Sequence, residues 1–323
     1  MTEPVVSIVG PVYNEEEGIA EFHRRLQAVR ATLDVPSEVV YVNDGSADGT
    51  LDLLEGFHHD DPSVRVLSFS RNFGHQVAVS AGIEHARGQA VVCMDTDLQD
   101  RPEVIPELVA KWREGNELVA AVRKQRTGEP RWRLFAIRTF YRLVRRLTNL
   151  DIKFDSGDFR LMDRKIVDVL NDMPERDRFV RGMTAWAGFR QDAVEYDRDP
   201  RFAGDSKYPL SKLVGLAMAG ITSFSYVPLQ LAGYFGLLLS LLSLLAVPVI
   251  IIARVLGAEG LGGQTSVLVA VLFFSGIQLF FLGVLGEYLG RVYQELKRRP
   301  LFVLASDTGP GEAGHGTTEG SAE

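Results

Sequence analysis

Two aspartates separated by one residue could together hold a divalent cation. Asp95 and Asp97 flank Thr96, directly after the apolar run of residues 89–94. In a continuing strand their carboxylates would point to opposite faces, so they can share an ion only if the strand ends and the chain turns here. Carboxylate oxygens suit Mg²⁺ or Mn²⁺. The tripeptide alone, however, favours a polar turn between a strand and a helix.

Two further polar loops follow predicted strands and strengthen the case for a site. Residues 43–50 include Asp44, which could accept a hydrogen bond from a nucleobase or a ribose hydroxyl, and glycines that permit close backbone approach. Asp48 in this loop is predicted to cap the next helix. Residues 11–15 form a similar loop after the first strand. Since ligands bind beyond the carboxyl ends of strands in open α/β sheets, the three loops together predict a nucleotide site.

The elements that carry these loops alternate between strand and helix patterns. Four apolar runs predict buried strands, at residues 5–9, 38–43, 64–69 and 89–94. Residues 19–33 place apolar side chains at spacings of three and four, which predicts an amphipathic helix capped by Asn14. Asp100 and Glu103 predict the start of another helix, ending near Arg113. This alternation predicts an α/β fold with a mostly parallel sheet.

Composition and charge exclude several classes of protein. The 323 residues carry a net charge of −7, which argues against nucleic acid as a partner. The single cysteine, Cys93, rules out a disulfide framework. No basic segment followed by an apolar one opens the chain, so we expect no cleavable signal peptide and a domain on the cytoplasmic side.

A basic and aromatic stretch follows the predicted α/β region. Residues 131–149 interleave arginines with aromatic and aliphatic side chains. One interpretation is a helix lying in the interface of an anionic membrane. The other is a solvated basic helix that packs on the core through its apolar side, and the pattern leaves both open.

The C-terminal part of the chain predicts a membrane hairpin. Residues 231–256 and 267–289 are each long enough, as helices, to cross a hydrocarbon core of about 30 Å. Basic residues flank the pair on both outer sides, which predicts that both ends are cytoplasmic. We expect residues 206–228 to form an amphipathic juxtamembrane segment, and residues 301–323 a disordered tail. A buried core hairpin is the less favoured alternative.

Five runs of sequence, in this order, resemble one enzyme family. They are PVYNEE, VNDGSADGT, SFSRNFGHQVAVSAGIEHARG, MDTDLQD and SGDFRLMDR. Together they look like the family 2 glycosyltransferases, in particular the polyprenyl-phosphate sugar transferases, which include dolichol-phosphate mannose synthase and the bactoprenol glucosyltransferases. The resemblance covers about residues 4–300 and includes the C-terminal hairpin.

The resemblance implies a GT-A fold over residues 1–205 and an inverting, metal-dependent sugar transfer to a polyprenyl phosphate. It assigns the donor nucleotide to Pro11, Tyr13, Glu15, Asp44 and Asp95. It assigns Mg²⁺ or Mn²⁺ to Asp95, Asp97 and Gln99, and catalysis to Asp158 and Arg160. The loop of residues 71–75 would border the donor pocket, with no role assigned to His75. UDP-glucose is the favoured donor and GDP-mannose the main alternative.

The acceptor implied by the resemblance is itself an anion. A monophosphate has a second pKa near 6, so it is largely dianionic at neutral pH and needs little help from a general base. Cations must offset its repulsion from the donor diphosphate. The candidates are Arg131, Arg138, Arg178, Arg181, Arg201 and Lys207. The family also suggests a homo-oligomer, such as a tetramer, in the cytoplasmic membrane.

Three other readings have less support. A processive polysaccharide synthase would carry Gln where Gly128 stands, four residues before Trp132. A non-catalytic scaffold or flippase subunit with a degenerate transferase domain would not need the intact acidic set. A dinucleotide-binding oxidoreductase is excluded because no strand is followed by G-x-G-x-x-G.

Overall fold

A computed structural model describes residues 3–123, 156–176, 178–197, 227–256 and 264–309. The chain divides into two compact units. One contains the sheet and its covering helices, and the other contains two long apolar helices.

The first unit is built on one mixed sheet whose middle is parallel. Its strands are β1 Val6–Val12, β2 Ser37–Asn43, β3 Val64–Phe69, β4 Ala90–Cys93, β5 Leu118–Arg123, β6 Ser156–Asp163, β7 Gln191–Tyr196 and β8 Leu304–Asp307. Their order across the sheet is β7-β5-β6-β4-β1-β2-β3-β8. The four predicted strands run parallel as β4-β1-β2-β3, so all four end at the same edge. The predicted α/β class is confirmed.

Six α-helices accompany these strands in the part of the first unit that the structure describes. They are α1 Ile19–Arg30, α2 Thr50–Asp60, α3 His75–His85, α4 Ile105–Arg113, α5 Arg164–Asp172 and α6 Val180–Trp186. Phe22 and Leu26 of α1 are fully buried in the core, as their spacing predicts.

Two predicted helix caps are wrong. The first helix begins at Ile19, and the Asn14 side chain instead accepts a hydrogen bond from the Ala47 amide at 2.8 Å. The Asp100 carboxylate accepts a hydrogen bond from the Tyr196 hydroxyl. In both cases the side chain that local spacing predicts as a helix cap instead forms a hydrogen bond with a residue distant in sequence.

Helix α3 lies close to the sheet because Gly82 faces β1. A Cβ built on Gly82 would overlap the Val9 Cγ1 methyl and lie 3.2 Å from Val42 Cγ2. Valine cannot swing this methyl aside freely, since its χ1 angle is restricted.

We therefore expect Gly82→Ala to lower the free energy of unfolding by about 1–3 kcal/mol. The matched control is Gly56→Ala in α2, where an added Cβ would meet nothing within 4 Å. That change should raise stability by about 0.5–1 kcal/mol through its better helix propensity. Thermal melting of the full chain in detergent measures both changes, and a Gly82→Ala protein as stable as the parent would contradict the packing argument.

The second unit contains, within the described residues, α7 Val227–Val255 and α8 Gln264–Leu296. These helices contain nearly all of the two predicted spans, and the Phe235 and Phe281 rings approach to 5.8 Å between centroids. Within the described residues, Phe273–Leu296 is the one segment long and apolar enough to cross a membrane. A two-span hairpin therefore stays a prediction. The predicted interfacial helix, 131–149, and most of the juxtamembrane segment, 206–226, lie outside the described residues.

The predicted disorder of the C-terminal tail is wrong for residues 301–309. Strand β8 pairs antiparallel with β3 and closes one side of the sheet. The Arg65 guanidinium donates two hydrogen bonds to the Asp307 carboxylate, from Nε at 2.9 Å and from Nη2 at 2.6 Å. Composition alone did not reveal this strand, because its order comes from pairing with a partner more than two hundred residues away. Residues 310–323 lie outside the described residues.

Candidate active site

The acidic pair lies where strand β4 ends and the chain turns. β4 stops at Cys93, and Leu98 adopts a positive φ of 60° in the turn that follows. Asp95, Asp97 and Gln99 are partly exposed, and the residues between them are buried. The Gln99 amide donates to Asp97 Oδ1 at 3.1 Å. The chain therefore turns as a shared ion requires.

Three strand-end loops are joined by hydrogen bonds at this edge. The Thr96 hydroxyl donates to the Pro11 carbonyl at 2.9 Å, which links the loops after β4 and β1. The Glu15 amide donates to Thr50 Oγ1 at 3.0 Å, which links the loops after β1 and β2. Tyr13, between them, is 48% exposed. The predicted convergence of the loops on one edge is confirmed.

Asp44 holds the loop of residues 71–75 in place. Its buried carboxylate accepts hydrogen bonds from the Phe73 amide at 2.6 Å and from the Gly74 amide at 3.0 Å. Burial raises the pKa of Asp44, and these amide donors oppose that rise. Gly45, with φ +67°, packs directly against the Arg71 backbone. Asp44, which the sequence predicts to bind the nucleotide, therefore also fixes the loop of residues 71–75.

Asp95, His75 and Asp158 form a cluster at the same edge. His75 Nε2 lies 3.5 Å from Asp95 Oδ1 and 3.1 Å from Asp158 Oδ2. One potential ligand atom from each residue lies within 4.8 Å of the other two. The antiparallel register pairs Cys93 with Arg160, so continuing it brings Asp158 opposite Asp95. His75 reaches them as the first residue of α3.

Asp158 is surrounded by hydrogen-bond donors. Arg181 donates to it through Nε at 2.7 Å and Nη2 at 3.1 Å, and Gln76 Nε2 donates at 3.1 Å. Burial alone would raise the pKa of Asp158, but the His75 hydrogen bond and Arg181 hold that pKa well below its usual range. Asp158 is therefore a fixed negative charge that orients Arg181 and His75.

Asp95 has the opposite character. Its Oδ1 atom is buried and has no hydrogen-bond partner among the described residues. Burial and the carboxylates of Asp100, Asp158 and Asp97 raise the pKa of Asp95 to about 6, although His75 opposes this. A buried carboxylate oxygen without a donor, beside a second carboxylate and an imidazole, fits a divalent cation.

The other predicted side chains divide into three groups. Arg160 is 3% exposed and donates to Thr184 Oγ1 at 2.7 Å and to the Gly157 carbonyl at 2.8 Å, and its charge helps to lower the pKa of Asp158. Arg178 donates to the Leu170 and Met173 carbonyls at the end of α5. The remaining candidates for the acceptor phosphate lie outside the described residues: Arg131, Arg138, Arg201 and Lys207.

Sequence reasoning gave no role to His75 and missed Gln76. A single histidine carries little information, and its two partners lie 20 and 83 positions further along the chain. One local signal was present in the sequence, namely the glycine directly before α3. Gly74 has a φ of +104°, a value that favours glycine.

Comparison with known proteins agrees with the geometry. Residues 7–170 match the model of the family "Glycosyl transferase family 2". The chain is similar to "Uncharacterized glycosyltransferase YkcC" of Bacillus subtilis, with 47% identity over 303 residues and 94% of each chain covered. It is also similar to "Bactoprenol glucosyl transferase" of Shigella phage SfII, with 42% identity over 299 residues, which are 93% of this chain and 97% of that one. "Prophage bactoprenol glucosyl transferase homolog" of Escherichia coli K12 shares 41% identity over 299 residues, 93% of this chain and 98% of that one. The chain therefore belongs to glycosyl transferase family 2 and is a glycosyltransferase with a GT-A fold.

Proposed function

We propose that this chain transfers a hexose from a nucleotide sugar, with UDP-glucose favoured, to a polyprenyl phosphate. The carrying observation is the buried Asp95 Oδ1, which accepts no hydrogen bond from the described residues and lies beside His75 and Asp158, at the edge where three strand-end loops meet. Two similar proteins that match 93% of the chain carry names that include "bactoprenol glucosyl transferase", which supports the lipid acceptor and the glucosyl group.

The proposed cation is Mg²⁺ or Mn²⁺. Asp95 would be its main ligand, and Asp97, Gln99, His75 and Asp158 are the nearby groups from which the others would come. When bound, the cation would stabilise the charge that develops on the departing nucleoside diphosphate. An imidazole among carboxylates favours Mn²⁺ over Mg²⁺, because Mg²⁺ prefers oxygen ligands.

The chain's own residues would orient the reactants more than move protons. Because the hydrogen bonds from Arg181 and His75 hold Asp158 ionised, with its pKa well below its usual range, it is a poor general base. A dianionic phosphate acceptor does not need one. Asp158 would instead hold Arg181 through Nε and Nη2, so that the guanidinium charge and its other N–H groups would attract a phosphate. Arg160 would fix Asp158 from the buried side.

The donor nucleotide would lie over the loops after β1, β2 and β3. Tyr13 is exposed there for stacking, and Pro11, Glu15 and Asp44 would line the base of the nucleotide site. Attack on the sugar by the acceptor in a single step would invert the anomeric configuration.

The membrane placement is also part of the proposal. Helices α7 and α8 would form the hairpin in the cytoplasmic membrane, with the α/β unit on the cytoplasmic face and the chain self-associating. The lipid acceptor would then be available at the surface where the α/β unit works.

A donor screen tests the reaction. The purified full chain is incubated with radiolabelled UDP- or GDP-sugars, polyprenyl phosphate, and Mg²⁺, Mn²⁺ or EDTA. We expect label to enter the lipid from UDP-glucose, only with a cation, and an inverted product by NMR. Polyprenol without the phosphate is the matched acceptor control. Transfer from GDP-mannose would replace the donor assignment, and no turnover with any donor would favour a non-catalytic scaffold.

A further inference from the structure

A phenylalanine of the C-terminal segment, Phe302, packs against the loop that carries His75 through one intervening ring. The Phe302 ring stacks on the Phe69 ring, with centroids 5.0 Å apart and planes 17° from parallel. Phe69 meets Phe73 edge to face at 5.5 Å. The Arg71 guanidinium covers the Phe73 ring at 3.9 Å from its centroid. We name these three rings, Phe302, Phe69 and Phe73, the aromatic column.

The last ring of the column, Phe73, belongs to the loop of residues 71–75, and Asp44 binds the backbone of the same loop. Phe73 contributes its ring to the column and its amide to Asp44. Gly74 follows with its own amide on Asp44, and His75 comes next, at the cluster. Moving the Phe73 ring must therefore strain the hydrogen bonds that set the position of His75.

Residues 303–309 anchor Phe302 at the sheet edge. The Ser70 amide donates to the Val303 carbonyl at 2.9 Å. The Val66 amide donates to Thr308 Oγ1 at 2.9 Å, and Arg65 grips Asp307. These bonds fix the backbone on either side of β8, so Phe302 presents its ring to Phe69 in one place. Only residues 297–301 separate Phe302 from the end of α8.

We propose that Phe302 is a positioning residue for the active-site loop of residues 71–75. Through the aromatic column, the segment that follows the last apolar helix sets the loop geometry on which His75 and Asp44 depend. Its effect reaches the donor site without any contact between Phe302 and substrate. This inference rests on the proposed use of that edge for the nucleotide.

The test compares Phe302→Ala with Phe302→Tyr, which keeps the ring, and Val303→Ala, which removes an exposed side chain but keeps the backbone hydrogen bond. Hydrogen exchange is measured in the full chain in detergent, with neither sugar nor lipid present. We expect Phe302→Ala to speed exchange of the Phe73 and Gly74 amides roughly tenfold, with α4 unchanged. Phe302→Tyr and Val303→Ala should match the parent.

A second readout is the affinity for UDP in the presence of Mn²⁺, which Phe302→Ala should weaken several-fold. Unchanged loop exchange, or a rise as large in α4 as in the loop, would overturn the inference. The exchange experiment needs no acceptor, so the two proposals can fail separately. If the parent fails to glycosylate polyprenyl phosphate, the loop result still stands, and the converse also holds.

Discussion

Replacing Asp95 with asparagine should lower kcat/KM for sugar transfer about a thousandfold, the loss expected when a cation loses its central carboxylate ligand. The measurement is initial-rate transfer with saturating Mn²⁺, together with Mn²⁺ affinity by electron paramagnetic resonance. Asp52→Asn is the matched control, because it removes an exposed aspartate charge from α2. Equal turnover in Asp95→Asn and Asp52→Asn would refute the assigned role of Asp95.

The same substitution should stabilise the metal-free protein. Its neighbours raise the folded-state pKa of Asp95 to about 6, above its ordinary value near 4. Between those values the folded state holds more protons than the unfolded state, so stability falls as pH rises through that window and stays reduced above it. In EDTA at pH 7.5, Asp95→Asn should therefore raise the free energy of unfolding by about 1–3 kcal/mol. A lower melting temperature in EDTA would contradict this account.

Replacing Asp158 with asparagine should lower kcat by about 100- to 1000-fold, because Arg181 and His75 lose the charge that orients them. It should also lower stability, since the buried Arg160 and the nearby Arg181 would be left without their shared counter-charge. Burial already lowers the pKa of Arg160 to about 10, which shows how unfavourable its charge is there.

A double-mutant cycle separates the two effects of Asp158. Arg181→Gln combined with Asp158→Asn should recover part of the lost stability but none of the activity, because the double variant removes the guanidinium whose counter-charge Asp158 supplies. Arg24→Gln is the control, since Arg24 forms an exposed pair with Glu21. Fully additive effects on melting temperature would show that Asp158 and Arg181 do not act together.

The parts of this fold that depend on local sequence patterns could be predicted from the sequence. The four parallel strands could be predicted from four apolar runs, two of which end directly before Asp44 and Asp95. Neighbouring parallel strands end at one edge, so the convergence of the loops followed from topology alone.

Contacts between distant residues could not be predicted in this way. The pairing of His75 with Asp158 depends on the register of β4 with β6, which no spacing within either segment reveals. Arg178 and Arg181 are equivalent in sequence terms, since both are candidates to bind the acceptor phosphate. The structure places one against carbonyls at the end of a helix and the other on Asp158. β8 was overlooked because a polar segment rich in glycine follows it directly.

The position of β8 in the chain has a consequence for biosynthesis. β3 emerges from the ribosome early, yet its outer edge stays unpaired until residues 304–307 have been made. At about 5–20 residues per second, translating the intervening segment takes roughly 10 to 50 s. The unpaired outer edge of β3 is prone to pair with strands of other chains during that time. The apolar helices are synthesised within the same interval, so the sheet can be completed only after both of them have left the ribosome.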